Sequence, residues 1–337
     1  MKIIEPDAKY LDPKELTPYQ FMEKAGRTCY KSEANITDES AVKFVQGLKK
    51  SGHTAMLEHA HIILYIKNGT SMPLIDLLIK NDFNNDGTKV RILNYLNISN
   101  VLDGFIVSGS FRSFLALYNP EILNDASNEL KYLLKKLHAE YPEIFDDVDY
   151  PEYQTETIFP PIYFFTRDEF ISFAKELQAE GFDSERLIMK HLTHTVLFIC
   201  DRGVTHEFVR HRPCSFAQES TRYCTYSKDK FGNEITVIRP CFFEEGSEAY
   251  EVWKQGCEQD EKTYMRLIEL GCAAQQARDS LPTSVKTEII MTATEEEWQH
   301  IINLRYHGTT GSPHPQMVQS MSLIYDTLCE KSEHRLK

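Results

Sequence analysis

The chain has 337 residues, 42% hydrophobic and 26% charged, which excludes fibrous and disordered classes and leaves ample sequence for a buried core. A formal net charge of −13 argues against a surface that coats nucleic acid, because counterion release needs a basic face, so any anionic ligand must be gripped by a local cluster of arginines. No run approaches the roughly 20 apolar residues of a membrane span, and Met1 to Tyr10 lacks a signal peptide's apolar region.

A cytoplasmic protein with neither membrane nor nucleic-acid partner is therefore expected. Pro18 opens a helix-like run through Phe21 to Tyr30 that ends in small polar residues. Thr37-Asp38-Glu39-Ser40 reads as the cap of an amphipathic helix over Ala41 to Leu48, which stops near Ser51-Gly52. After the stretch His53 to His61, the β-branched and aromatic run Ile62 to Ile66 reads as a strand. Three histidines and Glu58 between 53 and 61 invite a metal reading. Spacing opposes it: His53 and His59 fall on different sides of a helix, and only His59 and His61 share a face on a strand. No metal site is assigned. Eight scattered cysteines without a Cys-x-x-Cys pair read as free thiols in a reducing compartment.

Between 68 and 190 the sequence says least. Asn81 to Gly87 and Asn119-Pro120 carry turn signals, and Asn128 to His138 has helical periodicity. Glu143 to Asp149 reads as a solvated acidic loop, and Arg167 to Glu180 as a helix with Asp168 near its start. The segment reads as an insertion within one catalytic domain spanning 1–337, decorating it at a subunit contact or at the rim of the site.

His194 to Cys200 is a second strand-like run; Asp201 then stands where an N-cap belongs, before a helix from Arg202 to His211 that Pro213 stops. Glu207 shares a helical face with Arg210 and His211, three and four residues on. Ser215 to Tyr223 reads as a loop closing over that face. A turn at 231–234 precedes a short edge strand, Ile235 to Arg239, ended by Pro240, and 247–272 reads as one long amphipathic helix with a solvated acidic face.

The chemistry concentrates in Arg210-His211-Arg212, followed after seven residues by Ser220-Thr221-Arg222, with Gln218 and Glu219 just before the serine. Arginine offers a planar fork of donors that pairs with phosphate oxygens, and serine and backbone N–H groups fill the remaining lone pairs. Two arginines at a helix end also complement its macrodipole, the plainer reading of the triplet alone. The serine and Arg222 at fixed distance turn the pattern toward an anion.

This pattern resembles the signature of the flavin-dependent thymidylate synthases, the ThyX family, and the flanks 200–209 and 224–228 agree with it. Arg27 to Tyr30 and Gly52-His53 to Glu58-His59 resemble that family's first two segments. Arg278 before Leu281-Pro282 resembles its second phosphate-side arginine, Lys286 to Arg305 its closing pair of helices, and His314 to Met317 the start of its terminal helix. The resemblance covers residues 20 to 66 and 194 to 325. It implies an α+β fold with a central antiparallel sheet flanked by helices, and an enzyme that methylates dUMP to dTMP. FAD would be the cofactor, NADPH and 5,10-methylenetetrahydrofolate the co-substrates, and a homotetramer with sites shared between subunits the assembly. By the same resemblance Arg305 is the catalytic group beside N3 and O4 of the uracil. Glu207, Arg210, Gln218, Glu219, Ser220, Thr221, Arg222 and Arg278 would join Arg305 in holding the nucleotide. His53, Ala55, Arg210, His211, Arg212, Gln218, Thr294, Glu296 and His300 would face the flavin. One departure stands out: members commonly show Asn-x-Arg where this chain has Thr294-Glu295-Glu296, and an acidic side chain cannot replace an arginine at a pyrophosphate. Two other functions stay open: a related enzyme acting on a different pyrimidine nucleotide, and a non-catalytic nucleotide- or RNA-binding module that uses the arginines alone.

Overall fold

A computed structural model describes residues 1–67, 96–118, 128–145, 159, 161–227 and 232–337. The turns expected at 81–87 and 119–120, residue 231, and residues 146–149 of the acidic stretch lie outside the described residues.

β1 (Lys2–Ile4) and β2 (Asp7–Leu11) precede α1 (Pro18–Tyr30), which starts on a capping box between Thr17 and Gln20 with proline in its first turn. α2 (Ser40–Lys50) buries Ala41, Val45 and Leu48, spaced four and three apart, and a 3₁₀ stretch, Thr54–His59, leads into β3 (His61–Lys67). Then come β4 (Leu96–Val101), β5 (Gly104–Ser110), α3 (Phe111–Leu115), α4 (Asn128–Glu140), α5 (Pro142–Phe145) and β6 (Ile162–Phe165). α6 (Arg167–Leu177), α7 (Ser184–His191), β7 (Thr193–Asp201), α8 (Arg202–Phe208), β8 (Ser215–Gln218) and β9 (Thr236–Ile238) follow. The last third holds α9 (Glu248–Glu269), α10 (Ala274–Ala277), β10 (Lys286–Thr294), α11 (Glu295–Arg305), α12 (Pro315–Ser322) and α13 (Tyr325–Lys331).

The class is α+β, as expected, but two four-stranded antiparallel sheets stand among the described residues where one central sheet was expected. The first runs β2-β7-β10-β8, the second β4-β5-β3-β6, and β1 pairs with β9 in parallel. Strand alternation distributes the core. Val196, Phe198, Met291 and Ala293 face α11, α12 and α13, packing on Trp298, Ile301, Met317 and Leu328. Leu197 and Ile290 point the other way, into a core shared with α1, α2, α4 and one face of the second sheet. The opposite face of that sheet, Ile63, Tyr65 and Ile106, packs on Phe170 and Ala174 of α6 and Ile188 of α7. Each such large side chain stabilises the fold by about 1.5–3 kcal/mol.

Several sequence expectations are corrected. Lys286 to Arg305 is not a pair of helices: its first nine residues form β10, flanked by β7 and β8, and only Glu295–Arg305 is helical. Ser215 to Gln218 is a strand and not a loop, because β10 supplies a partner edge. α8 ends at Phe208, short of the expected His211. Ile144 and Phe145, expected in a solvated loop, are fully buried against α4 and the aromatic rings of Phe111 and Tyr118. The described part of the segment read as an insertion supplies β4, β5 and β6, three of the four strands of the second sheet. Gly104 is required where β5 begins: a Cβ there would lie 2.5 Å from the Ile66 carbonyl oxygen. No helix among the described residues is long and apolar enough to cross a membrane.

Candidate active site

The expected residues gather in two constellations. The first sits where α8 and α11 end side by side. Asp201 caps α8, its Oδ1 accepting from the Val204 N–H at 2.8 Å and its Oδ2 from the Gln316 amide at 2.8 Å, so α12 fixes the start of the helix. At the other end Arg305 reaches across from α11. Its Nη1 donates to Glu207 Oε2 at 2.7 Å, its Nη2 to the Glu207 carbonyl at 3.3 Å, and its Nε to His211 Nε2 at 3.1 Å. A guanidinium has five N–H donors, so three are engaged and two remain.

Those contacts also set the His211 tautomer. Arginine only donates, so Nε2 accepts and the ring proton sits on Nδ1, which faces Glu297 Oε1 at 3.3 Å. The His300 ring meets His211 edge-on at 5.8 Å. His211, Glu297 and His300 offer ligand atoms within 4.8 Å of one another, a trio the sequence reading did not assemble, although Glu297 and His300 stand three apart on one helix. With Nε2 committed to Arg305 and a proton on Nδ1, His211 has no lone pair for a cation. Arg210 and Arg212 are exposed, and their guanidiniums make no hydrogen bond or ion pair among the described residues. Beside Glu207 opens a cavity of about 650 Å³, walled by Gly203, Phe243, Trp253, Pro282 and His314, a size that suits a small molecule.

The second constellation forms where the chain leaves β8 and meets the end of α1. The Glu219 N–H donates to the Glu288 carbonyl at 2.8 Å and the Ser220 N–H to the Cys29 carbonyl at 3.0 Å, so this turn is pinned by backbone on both sides. The Ser220 hydroxyl accepts from the Arg222 N–H at 3.3 Å, and Thr221 is buried. Exposed Arg222 lies over the Tyr223 ring at 5.6 Å, Tyr223 tilts against Tyr30 at 5.8 Å, and the Tyr30 hydroxyl meets His53 Nδ1 at 2.7 Å. Ala55 is exposed on the 3₁₀ stretch beyond His53.

Beneath this turn lies a charge network that the sequence reading missed. Lys286 Nζ donates to Glu219 Oε2 at 3.0 Å and to Glu288 Oε1 at 2.5 Å, and Lys31 Nζ donates to the same Glu288 oxygen at 2.6 Å. Burial pushes the Glu288 carboxyl up, but the two ammonium groups prevail and hold it below its ordinary value. Glu219 Oε1 is buried without a hydrogen-bond partner among the described residues. Only tertiary pairing brings residues 31, 219, 286 and 288 together, so spacing carried no signal for them.

The remaining expected residues stand apart. Gln218 donates its amide to Thr205 Oγ1 at 3.0 Å and Thr287 Oγ1 at 3.2 Å, tying α8 to β10. Arg278 is exposed on its own 3₁₀ turn, Arg278–Ser280. Thr294 caps α11 by accepting from the Glu297 N–H at 3.3 Å, and Glu296 is exposed in the first turn. No hydrogen bond, ion pair or ring contact among the described residues joins the Arg305 constellation to the Arg222 one.

Residues 172–328 match the family described as thymidylate synthase complementing protein. The matched segment carries both arginine groups, β7, β10 and Arg305. The flavin-dependent thymidylate synthase of Pyrococcus furiosus is 35% identical over 119 residues, which are 35% of this chain and 48% of that protein. The enzyme of the same name from Pyrococcus abyssi is 33% identical over 119 residues, again 35% and 48%. The chain thus spans about half the length of the curated relatives it matches. Among solved structures, a UMP/dUMP methylase PolB from Streptomyces cacaoi, bound with 5-Br dUMP, superposes with a TM-score of 0.38 at 20% identity, covering 50% of this chain and 86% of that one.

Proposed function

We propose that this chain is a flavin-dependent thymidylate synthase. It methylates dUMP to dTMP with FAD as cofactor and with 5,10-methylenetetrahydrofolate and NADPH as co-substrates, in a homotetramer whose sites combine residues of different subunits. The observation that carries the reading is Arg305, braced on three N–H groups by Glu207 and His211 and left with two for a ligand. Uracil C5 is a weak nucleophile until negative charge is drawn onto N3 and O4. A guanidinium already fixed in place stabilises that charge as it develops, without a covalent enzyme intermediate. The brace matters because an arginine oriented before substrate arrives has less rotamer freedom left to lose.

Arg222 and the pinned Ser220 turn suit the nucleotide's phosphate, with exposed Arg278 as a further donor. In the proposed tetramer a second copy of the chain completes the nucleotide site. The residues present also fit a flavin dinucleotide at most positions. Exposed, unpaired Arg210 and Arg212 are donors for its phosphates, and His53 and His300 present accessible rings. Thr294, engaged as a cap, and acidic Glu296 fit poorly, so the pyrophosphate falls to Arg210 and Arg212. When bound, the flavin supplies the hydride exchange between nicotinamide and the transferred one-carbon unit.

Glu296 favours one second reading, a sibling enzyme that acts on another pyrimidine nucleotide. Both are tested on the purified protein by its visible spectrum and by nucleotide products. Flavin bands bleached by NADPH, with dTMP formed from dUMP, are the expected result. Methylation of dCMP in place of dUMP would move the assignment to the sibling. A colourless protein that binds RNA with log-linear salt dependence would leave only a binding module.

A further inference from the structure

A second cavity, of about 280 Å³, lies between the start of α1, the first residues of β3, the end of β6 and the chain entering β7, and none of the candidate-site residues lines it. Leu16, Phe21, Tyr141 and Phe165 give it an apolar wall. Two donors stand among them. His61 has no hydrogen bond from either ring nitrogen to any described residue, and its Nδ1 is sealed from solvent, which leaves Nε2 as the nitrogen open to the cavity. Burial holds the ring neutral, lowering its pKa to about 4. An orphaned buried N–H is rarer than an orphaned acceptor, so the ring proton belongs on Nε2, aimed at the empty space.

Arg167 is the second donor. Its Nη1 donates to the Thr193 carbonyl at 3.0 Å, while its Nη2 stands 3.5 Å from Glu295 Oε1. That carboxylate is already held at both oxygens by Arg335, at 2.8 and 2.9 Å. Arg335 also reaches Glu333 Oε2 through its Nη1 at 3.3 Å, and His194, which also touches Glu295, is kept from protonating chiefly by burial. Arg167 therefore keeps only a long contact to a carboxylate that Arg335 already holds at both oxygens, and its guanidinium stands at the edge of the apolar cavity. A metal does not answer this arrangement, because no third ligand residue joins His59 and His61 among the described residues. Water answers it poorly: the volume amounts to roughly nine waters against a mostly apolar wall.

We propose that this cavity binds a small aromatic monocarboxylate, its ring against Phe21, Tyr141 and Phe165 and its carboxylate on Arg167 and the His61 Nε2–H. His59 and His61, which both line this cavity and which the nucleotide site leaves unused, thereby gain a role: Thr292 anchors His59 Nδ1 at 2.9 Å in the wall, and His61 presents its proton to the ligand. The test titrates 2-naphthoate into the full chain carrying ¹⁵N-labelled histidine, with 2-naphthylmethanol as the uncharged isostere. The acid is expected to shift the His61 ring signals and to bind at least about tenfold more tightly than the alcohol. His61→Phe is expected to weaken the acid by a similar factor, and Leu16→Trp, which adds bulk to the lining, to abolish binding. Equal affinity for acid and alcohol, or an unmoved His61 signal at saturation in the wild-type protein, overturns the proposal. So does undiminished naphthoate binding by a folded His61→Phe variant.

Discussion

Glu295→Gln tests how the first sheet is locked to the last residues of the chain. The Glu295 side chain is 0% exposed and that of Arg335 5%, and their two hydrogen bonds measure 2.8 and 2.9 Å. Glutamine keeps the volume and removes the charge, leaving the buried Arg335 guanidinium with Glu333, at 3.3 Å, as its carboxylate partner. Breaking one partner of a buried pair costs about 3–5 kcal/mol, and the contact to half-exposed Glu333 sets the expected loss at the lower end of that range. Urea unfolding at pH 7 measures the loss directly. Burial raises the Glu295 pKa, but hydrogen bonds from Arg335 and His194 outweigh it, and the folded value lies below the ordinary 4.5. A depressed carboxylate contributes stability that is present above its unfolded pKa and lost as pH falls through the folded one. The gap between wild type and variant is therefore expected to narrow below pH 4.5. The double change Glu295→Leu with Arg335→Met removes both charges and is expected to recover part of the loss. A single-variant cost under about 1 kcal/mol, or a double variant no better than the single, would refute the reasoning.

Two further expectations come from the candidate site and one from the buried histidines. Arg305→Ala removes the braced guanidinium and is expected to lower kcat for dTMP formation by about 10²–10³-fold with the fold intact, as circular dichroism will report. Arg222→Ala takes away a charge-assisted phosphate contact and is expected to raise KM for the nucleotide about tenfold to a hundredfold, which steady-state kinetics will show. Burial lowers the pKa of His59 and His191 to about 3 each. Below about pH 6.5 the unfolded chain takes up protons that these folded rings refuse, so stability falls as pH drops toward 4. His191→Gln is expected to remove up to about 1.4 kcal/mol per pH unit of that slope in urea titrations between pH 6 and 4.

How much of this was legible in the sequence depended on whether local signals sufficed. α1 announced itself through Pro18, α2 through its amphipathic spacing and the strand at 61–67 through a β-branched run, and the cap at Asp201 sits where its spacing placed it. The cap read at Thr37 to Ser40 does not form: Glu39 precedes α2 with no side-chain cap hydrogen bond. β10 did not. Buried on both faces, Ile289, Ile290 and Met291 form a short continuous apolar run that periodicity cannot distinguish from a buried helix. Its strand state comes from β7 and β8 on either side. β5, written Gly-Phe-Ile-Val-Ser-Gly-Ser, hid behind glycine and serine residues that look like loop until β3 and β4 pair with them. Within the site, the motif pointed to Arg210 through Arg222, but the Lys31–Glu288–Lys286–Glu219 network and the Glu297 partner of His211 needed the tertiary fold.

Strand β10 has a bearing on which lengths of chain natural variation can explore. Its early residues carry Lys286 and Glu288 under the Ser220 turn, and its last residue launches the helix that delivers Arg305. Adding or deleting a single residue inside it would exchange the inward and outward sides of everything beyond that point, and both arginine groups would lose their supports together. Insertions and deletions in descendants of this gene should accumulate around Thr309 to Gly311, in the exposed turn after α11, and spare the nine positions between Lys286 and Thr294.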